Sequence, residues 1–152
     1  MNIEKIVWLK LRFVMAFIFL WAFFDKLFGL GFATTSEKAW IHGGSPTTGF
    51  LAGAVQGPFA NLFHSLSGIV IVDWLFMLGL LFVGLTLVFN KYVLWGAVAG
   101  IGMMLLMWLS LLFPANNPII DEHIVYALVL ALLAIKSKNG ELSLESKDFI
   151  NK

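Results

Sequence analysis

The chain contains no cysteine, which excludes structural disulfides, thiolate metal sites, iron–sulfur ligation and any thiol redox step performed by the chain itself. Electron transfer here would need a borrowed cofactor. Charge is also scarce: Asp, Glu, Lys and Arg make up 12% of the 152 residues, where soluble domains carry about 25%. The net charge of +1 offers no basic field for nucleic acid, so nucleic-acid partners are not expected. Phosphate loops, dinucleotide fingerprints, haem or flavin motifs and nucleophile elbows are missing as well. Soluble-enzyme templates therefore do not apply, and no internal repeat is visible.

What the chain does have is apolar length. Hydrophobic residues form 60% of it and its mean hydropathy is +0.90. A single core of this size cannot hide so much apolar surface, whereas a lipid bilayer accepts it directly. Four stretches, about 7–32, 69–89, 92–113 and 119–135, are long enough to cross about 30 Å of hydrocarbon at about 1.5 Å per residue. The first resembles a signal peptide in its leading Lys5, Lys10 and Arg12. It is long, however, and runs into Thr34-Thr35-Ser36-Glu37 without a small-x-small cleavage site, so it reads as a retained helix.

The expected fold is all-α: an up-down four-helix membrane bundle over residues 1–136, followed by a polar cytoplasmic tail, 137–152. Short links at Asn90-Lys91 and at Pro114-Ala115-Asn116-Asn117-Pro118 make the last three spans antiparallel neighbours. Lys5, Lys10, Arg12, Lys91, Lys136, Lys138, Lys147 and Lys152 fall on the side of the termini, and only Lys26 and Lys38 on the other. The positive-inside rule then places both ends in the cytoplasm of a multi-pass plasma-membrane protein. Gly96 and Gly100 form a G-x-x-x-G pair that lets a neighbouring helix approach, within the bundle or across a homo-oligomer.

The outward loop, 33–68, is long enough to suspect function. Pro58 is expected to start a short amphipathic helix with Phe59, Leu62, Phe63 and Leu66 on one side and Asn61, His64 and Ser65 on the other, ended by Gly68. The preceding stretch from Trp40 to Phe50 is too rich in glycine for regular structure and too apolar for a free linker. It is expected to fold back as a lid.

Ionisable groups inside membrane segments are costly, by about 2.5–3.5 kcal/mol at mid-helix, so each needs a partner or a purpose. Asp25, Lys26, Asp73, Asp121, Glu122 and His123 all fall at the outer face. Taken singly, Lys26 pairs with a carboxylate while Asp73 and Asp121 cap the helices that start beside them. Taken together, they suggest a water-filled pocket that exchanges protons with a ligand. His123, Asp121 and Asp73 are the candidate proton-handling residues. Asp25, Lys26, Trp40, His42, Ser45, Thr47, His64, Trp74 and Glu122 are candidate ligand contacts. His42, His64 and His123 lack helical ligand spacing such as H-x-x-x-H, so no metal site is expected. The tryptophans read as interface and packing residues, with Trp21, Trp40, Trp74 and Trp108 also able to flank a flat ring. Met103, Met104 and Met107 read as packing.

Several strings in order, Phe24-Asp25-Lys26-Leu27-Phe28-Gly29-Leu30-Gly31-Phe32, Gly44-Ser45-Pro46-Thr47-Thr48-Gly49-Phe50-Leu51, Gly57-Pro58-Phe59, Asp73-Trp74-Leu75-Phe76-Met77 and Asn117-Pro118-Ile119-Ile120-Asp121-Glu122-His123, resemble the DoxX/DoxD family of small four-span membrane proteins. The resemblance runs from Arg12 to Leu133. Its DoxD branch is the membrane subunit of a thiosulfate:quinone oxidoreductase that works with a second subunit, DoxA. The resemblance thus implies a membrane quinone as cofactor and a DoxA-like partner. Two other classes stay open from the residues themselves: a proton-coupled small-molecule carrier, and a non-catalytic binding or assembly subunit.

Overall fold

The computed structural model describes residues 3–115 and 117–138. Every regular element among them is helical. In chain order these are α1 (Ile3–Phe28), two 3-10 turns (Ser36–Lys38 and Trp40–His42), α2 (Thr48–Gly53), α3 (Ala60–His64), α4 (Val70–Phe89), α5 (Val93–Ser110) and α6 (Glu122–Lys138). By length and composition, α1, α4 and α5 can each cross a membrane. With 17 residues, α6 is shorter.

The helix ends differ from the expected spans for local reasons. The first helix stops at Phe28 rather than Phe32, because the backbone N–H groups of Phe32 and Ala33 turn back and donate to Asp25 (3.1 and 2.9 Å). The last begins at Glu122 rather than Ile119. Asn117 Oδ1 accepts the N–H groups of Ile119 and Ile120 (2.9 and 3.0 Å) and holds them in the turn. Asp121 then caps α6, its Oδ1 accepting the His123 N–H at 3.0 Å, which satisfies one of the free donors of the first turn. Between α4 and α5, Asn90 and Tyr92 take left-handed backbone conformations, and Lys91 N–H donates to Thr86 O at 3.2 Å.

Helix α1 packs on α4, α4 on α5 and α5 on α6, and α1 also meets α6. Residues at helical spacing meet in one core: Met15, Phe19 and Phe23; Met77, Leu80, Val83 and Leu87; Val93, Ala97 and Met104; Ala127, Leu130 and Leu133. The G-x-x-x-G pair is used inside the chain. A Cβ on Gly96 would strike the Thr86 side chain of α4, and one on Gly100 would lie 2.7 Å from Leu130 Cδ1 of α6 and 3.3 Å from both Val83 methyls. Removing two side chains thus brings three backbones close enough to interlock, as in membrane helix packing generally.

The outward faces are also apolar. Phe17, Leu75, Leu94, Val98, Leu106, Leu128 and Ile135 are all exposed, a surface that fits a bilayer and not water. At one end, Glu4 Oε1 accepts from Lys136 Nζ at 3.1 Å and from Trp8 Nε1 at 3.2 Å, so the start of α1 and the end of α6 lie together. Arg12, counted above among the terminal cations, is 1% exposed. It lies inside the helical packing with its guanidinium 4.9 Å from the Phe13 ring centroid.

The loop 33–68 has more regular structure than its glycines suggest. The 3-10 turn Trp40–His42 and the start of α2 occupy the stretch expected to lack it, and α3 starts at Ala60, two residues after Pro58. Leu51, Val55 and Phe63 form a second small core with Phe50, Ala60, Leu66, Val72 and Leu109, fixing this segment as a cap over the ends of α4 and α5. The polar tail expected over 137–152 falls almost wholly on residues 139–152, which lie outside the described residues.

Candidate functional site

Three aspartates at the capped end, Asp25, Asp73 and Asp121, have definite tasks. Asp25, 2% exposed, spends one oxygen on Phe32 N–H and the other on Ala33 N–H. It closes the turn that leads into the cap. Asp73, in the first turn of α4, receives three bonds on Oδ1: from Ser45 Oγ (2.8 Å), Thr47 N–H (3.2 Å) and Thr47 Oγ1 (2.5 Å). Ser45 Oγ in turn accepts from Thr48 N–H and Thr48 Oγ1 (3.1 and 2.7 Å), and Thr48 Oγ1 accepts from Gly68 N–H at 3.1 Å. The Ser-Pro-Thr-Thr turn is therefore latched to α4 through one carboxylate oxygen.

A third attachment comes from the far side of the cap. Gln56 N–H donates to Ser110 O at 3.1 Å, at the end of α5. Beside it the Gly57 backbone, at φ +82°, passes so close to the Leu112 carbonyl that any Cβ would overlap it. His64 Nδ1–H donates to Leu51 O at 2.7 Å and joins α3 to α2. His42 Nδ1–H donates to Ser36 O at 2.7 Å and joins the two 3-10 turns. These two histidines hold loop backbone at separate places, and His64 turns toward α2 instead of outward.

Beneath the cap lies a cavity of about 300 Å³. Its walls come from the cap (Pro46, Thr47, Phe50, Leu51, Phe63, Leu66), from α4 (Val72, Leu75, Phe76) and from α5 (Met103, Leu106, Met107, Ser110), and Lys26 of α1 completes it. Thr47 Oγ1 is committed to Asp73, and Ser110 Oγ donates to Met107 O at 2.7 Å. Lys26 is the charged group of the cavity, with Nζ 5.9 Å from the Phe76 ring centroid. The expected ion pair is not formed: among the described residues no carboxylate lies within 4.0 Å of Lys26 Nζ. Asp25 instead spends both oxygens on the cap backbone, and Asp73 spends Oδ1 on the latch.

The remaining candidates are placed elsewhere at the same end. His123, 8% exposed, donates from Nδ1–H to Asp121 Oδ2 at 2.8 Å, which fixes the orientation of its ring. Glu122 beside them is exposed, and the ligand atoms of Asp121, Glu122 and His123 lie within 4.8 Å of one another. None of these three lines the cavity. Trp40 and Trp74 pack edge to face on each other, with centroids 4.7 Å apart. Trp21 meets Phe32 in the same way at 4.9 Å, and Trp108 Nε1–H donates to Ile119 O at 2.6 Å. The tryptophans brace the cap and its turns instead of flanking the cavity.

Of the twelve candidate site residues, the cavity wall thus includes Lys26 and Thr47, with Ser45 and Asp73 directly behind Thr47. Sequence reasoning missed the wall residues Phe50, Phe63, Phe76 and Ser110, and assigned Met103 and Met107 to packing alone. A second groove, about 480 Å³, runs along Phe13, Val14, Ala16, Phe17, Leu20 and Val88 and, among the described residues, has no polar side chain to orient a ligand. No family model, curated protein or solved structure matches this chain.

Proposed function

We propose that the chain is a four-span plasma-membrane protein with both termini in the cytoplasm, and that its capped cavity takes the ring of a membrane quinone. In this reading it is the membrane subunit of a quinone-linked oxidoreductase. The observation that carries the reading is the cavity itself: apolar walls, one amine, and an opening toward lipid. Leu75 and Leu106 line it while remaining 66% and 58% exposed, so a ligand that dissolves in the bilayer can enter sideways. At about 300 Å³ it stands at the lower end of small-molecule sites, which span roughly 300–1,000 Å³. That size suits one substituted ring with its tail left in the lipid.

Three features favour the reading. The ordered strings that resemble the DoxX/DoxD family include Lys26 and the latch residues Ser45, Thr47 and Asp73. Lys26 supplies a hydrogen-bond donor for a ring carbonyl in an otherwise apolar slot. The His123–Asp121 pair, 2.8 Å apart at the same end of the molecule, is a proton-handling pair of the kind such chemistry requires. A chain without cysteine leaves the electron donor to a DoxA-like partner.

The test is an organic extract of the protein purified in mild detergent, scanned for quinone absorbance before and after borohydride. A stoichiometric quinone that is lost when Phe76→Trp fills the cavity supports the proposal. Absence of quinone, together with solute flux in liposomes, would replace it with the carrier reading.

A further inference from the structure

Polar recognition within the cavity is unusually concentrated. Thr47 and Ser110 have spent their hydroxyl protons on Asp73 and on Met107 O. Among the described residues the wall contains no acidic side chain. The nearest acid in sequence, Asp25, has both oxygens on backbone N–H groups, and its charge acts on Lys26 through space without an ion pair within 4.0 Å. The Lys26 ammonium thus stands over Phe76 at 5.9 Å with spare donors, and three phenylalanines, Phe50, Phe63 and Phe76, are among the walls.

From this we infer that the cavity selects lipid-soluble rings that carry one acidic oxygen, with the ring among the phenylalanines and the oxyanion on Lys26 Nζ. The inference rests on the ring-binding reading above and narrows it to a chemical class: hydroxylated quinones and other weakly acidic ring compounds over neutral ones of the same size. The physical basis is the asymmetry of a desolvated charge. An ammonium in an apolar slot makes a charge-assisted hydrogen bond to a neutral carbonyl, and with an oxyanion it adds the Coulomb attraction of a full opposite charge. Aromatic walls favour a flat ring over an acyl chain, since ring pairs gain contact beyond area burial.

The experiment compares two probes on the full-length protein in detergent at neutral pH: 2-hydroxy-1,4-naphthoquinone, which is anionic there, and 1,4-naphthoquinone, which is neutral. Binding is followed by the shift of the probe's visible absorbance or by quenching of tryptophan fluorescence. Wild-type protein should prefer the hydroxylated probe by roughly 10- to 100-fold, the range expected of one hydrogen bond to a charged group. Lys26→Met should abolish the preference, lowering the hydroxylated probe's affinity by more than the neutral probe's, and Lys26→Arg should restore it in part. Equal affinity of wild type for the two probes, or a preserved preference in Lys26→Met, would overturn the inference and leave the ring-binding reading standing. Failure of wild type to bind either probe would overturn that reading and this inference with it.

Discussion

Replacing Asp73 with alanine removes a carboxylate oxygen that receives three hydrogen bonds from the Ser45–Thr47 turn. Bonds to a charged group contribute about 1.5–3 kcal/mol each, but the two hydroxyl donors can rotate to other acceptors. The Thr47 N–H cannot, and Thr47 is only 5% exposed, so the loss that survives relaxation is about 2–4 kcal/mol. That loss falls on opening of the cap, because α4 itself keeps its backbone ladder and core. At 1.4 kcal/mol per factor of ten, amide exchange across the cap residues Ser45 to Gly53 should accelerate by about 30- to 700-fold. The amides of α5 should keep their protection. Hydrogen exchange read by mass spectrometry in detergent gives both numbers at once. Asp73→Asn keeps an acceptor while losing the charge, so it should produce a smaller acceleration and separates the latch from the helix-dipole contribution, about 0.3–1 kcal/mol. Unchanged exchange in the cap of Asp73→Ala would refute the latch, whatever happened to overall melting.

Two other outcomes follow from the packing and the charge distribution. Gly100→Val should lower the melting temperature in detergent, with a cost of about 1–3 kcal/mol for overpacking, because its Cβ would sit 2.7 Å from Leu130 Cδ1; Gly102→Ala, with nothing within 4 Å, should be neutral or slightly stabilising, and equal effects would show that the close approach at Gly100 is not what holds α5 to α6. In a chain with no native thiol, Thr35→Cys should react with an impermeant maleimide on intact cells and Lys91→Cys only after permeabilisation, and the reverse pattern would invert the proposed topology.

Some of the cap's organisation was readable in advance and some was not. Asp121 as a helix cap, and Gly96 and Gly100 as a packing stripe, follow from nearest-neighbour rules along one helix, and both hold. The helical content of the cap was harder to see. Gly43, Gly44 and Gly49 argue against regular structure locally, yet α2 forms with Gly49 inside it, because Phe50, Leu51 and Val55 find Phe63 and Val72 to pack against. Tertiary burial outweighs the weak local propensity of a six-residue helix. The convergence of charges at one face was legible, but its meaning was not. Side-chain hydrogen bonds 26 and 28 positions apart in sequence turn Asp73 from an apparent ligand-facing acid into a latch.

The sequence by itself determined the class of environment and the helical plan. Apolar runs long enough to cross hydrocarbon, and a charge content too low for a soluble surface, are properties of composition and spacing, and they act before any contact between elements forms. Which charges stay available was decided only by the tertiary structure. Asp25, Asp73 and Lys26 are indistinguishable as isolated intramembrane ions, each equally in need of compensation. Folding the cap back gives both acids backbone and hydroxyl donors, and this leaves the lysine as the charged member of an apolar cavity whose walls come from α1, α4, α5 and the cap. A cavity is the space between elements, so no single stretch of the chain encodes it.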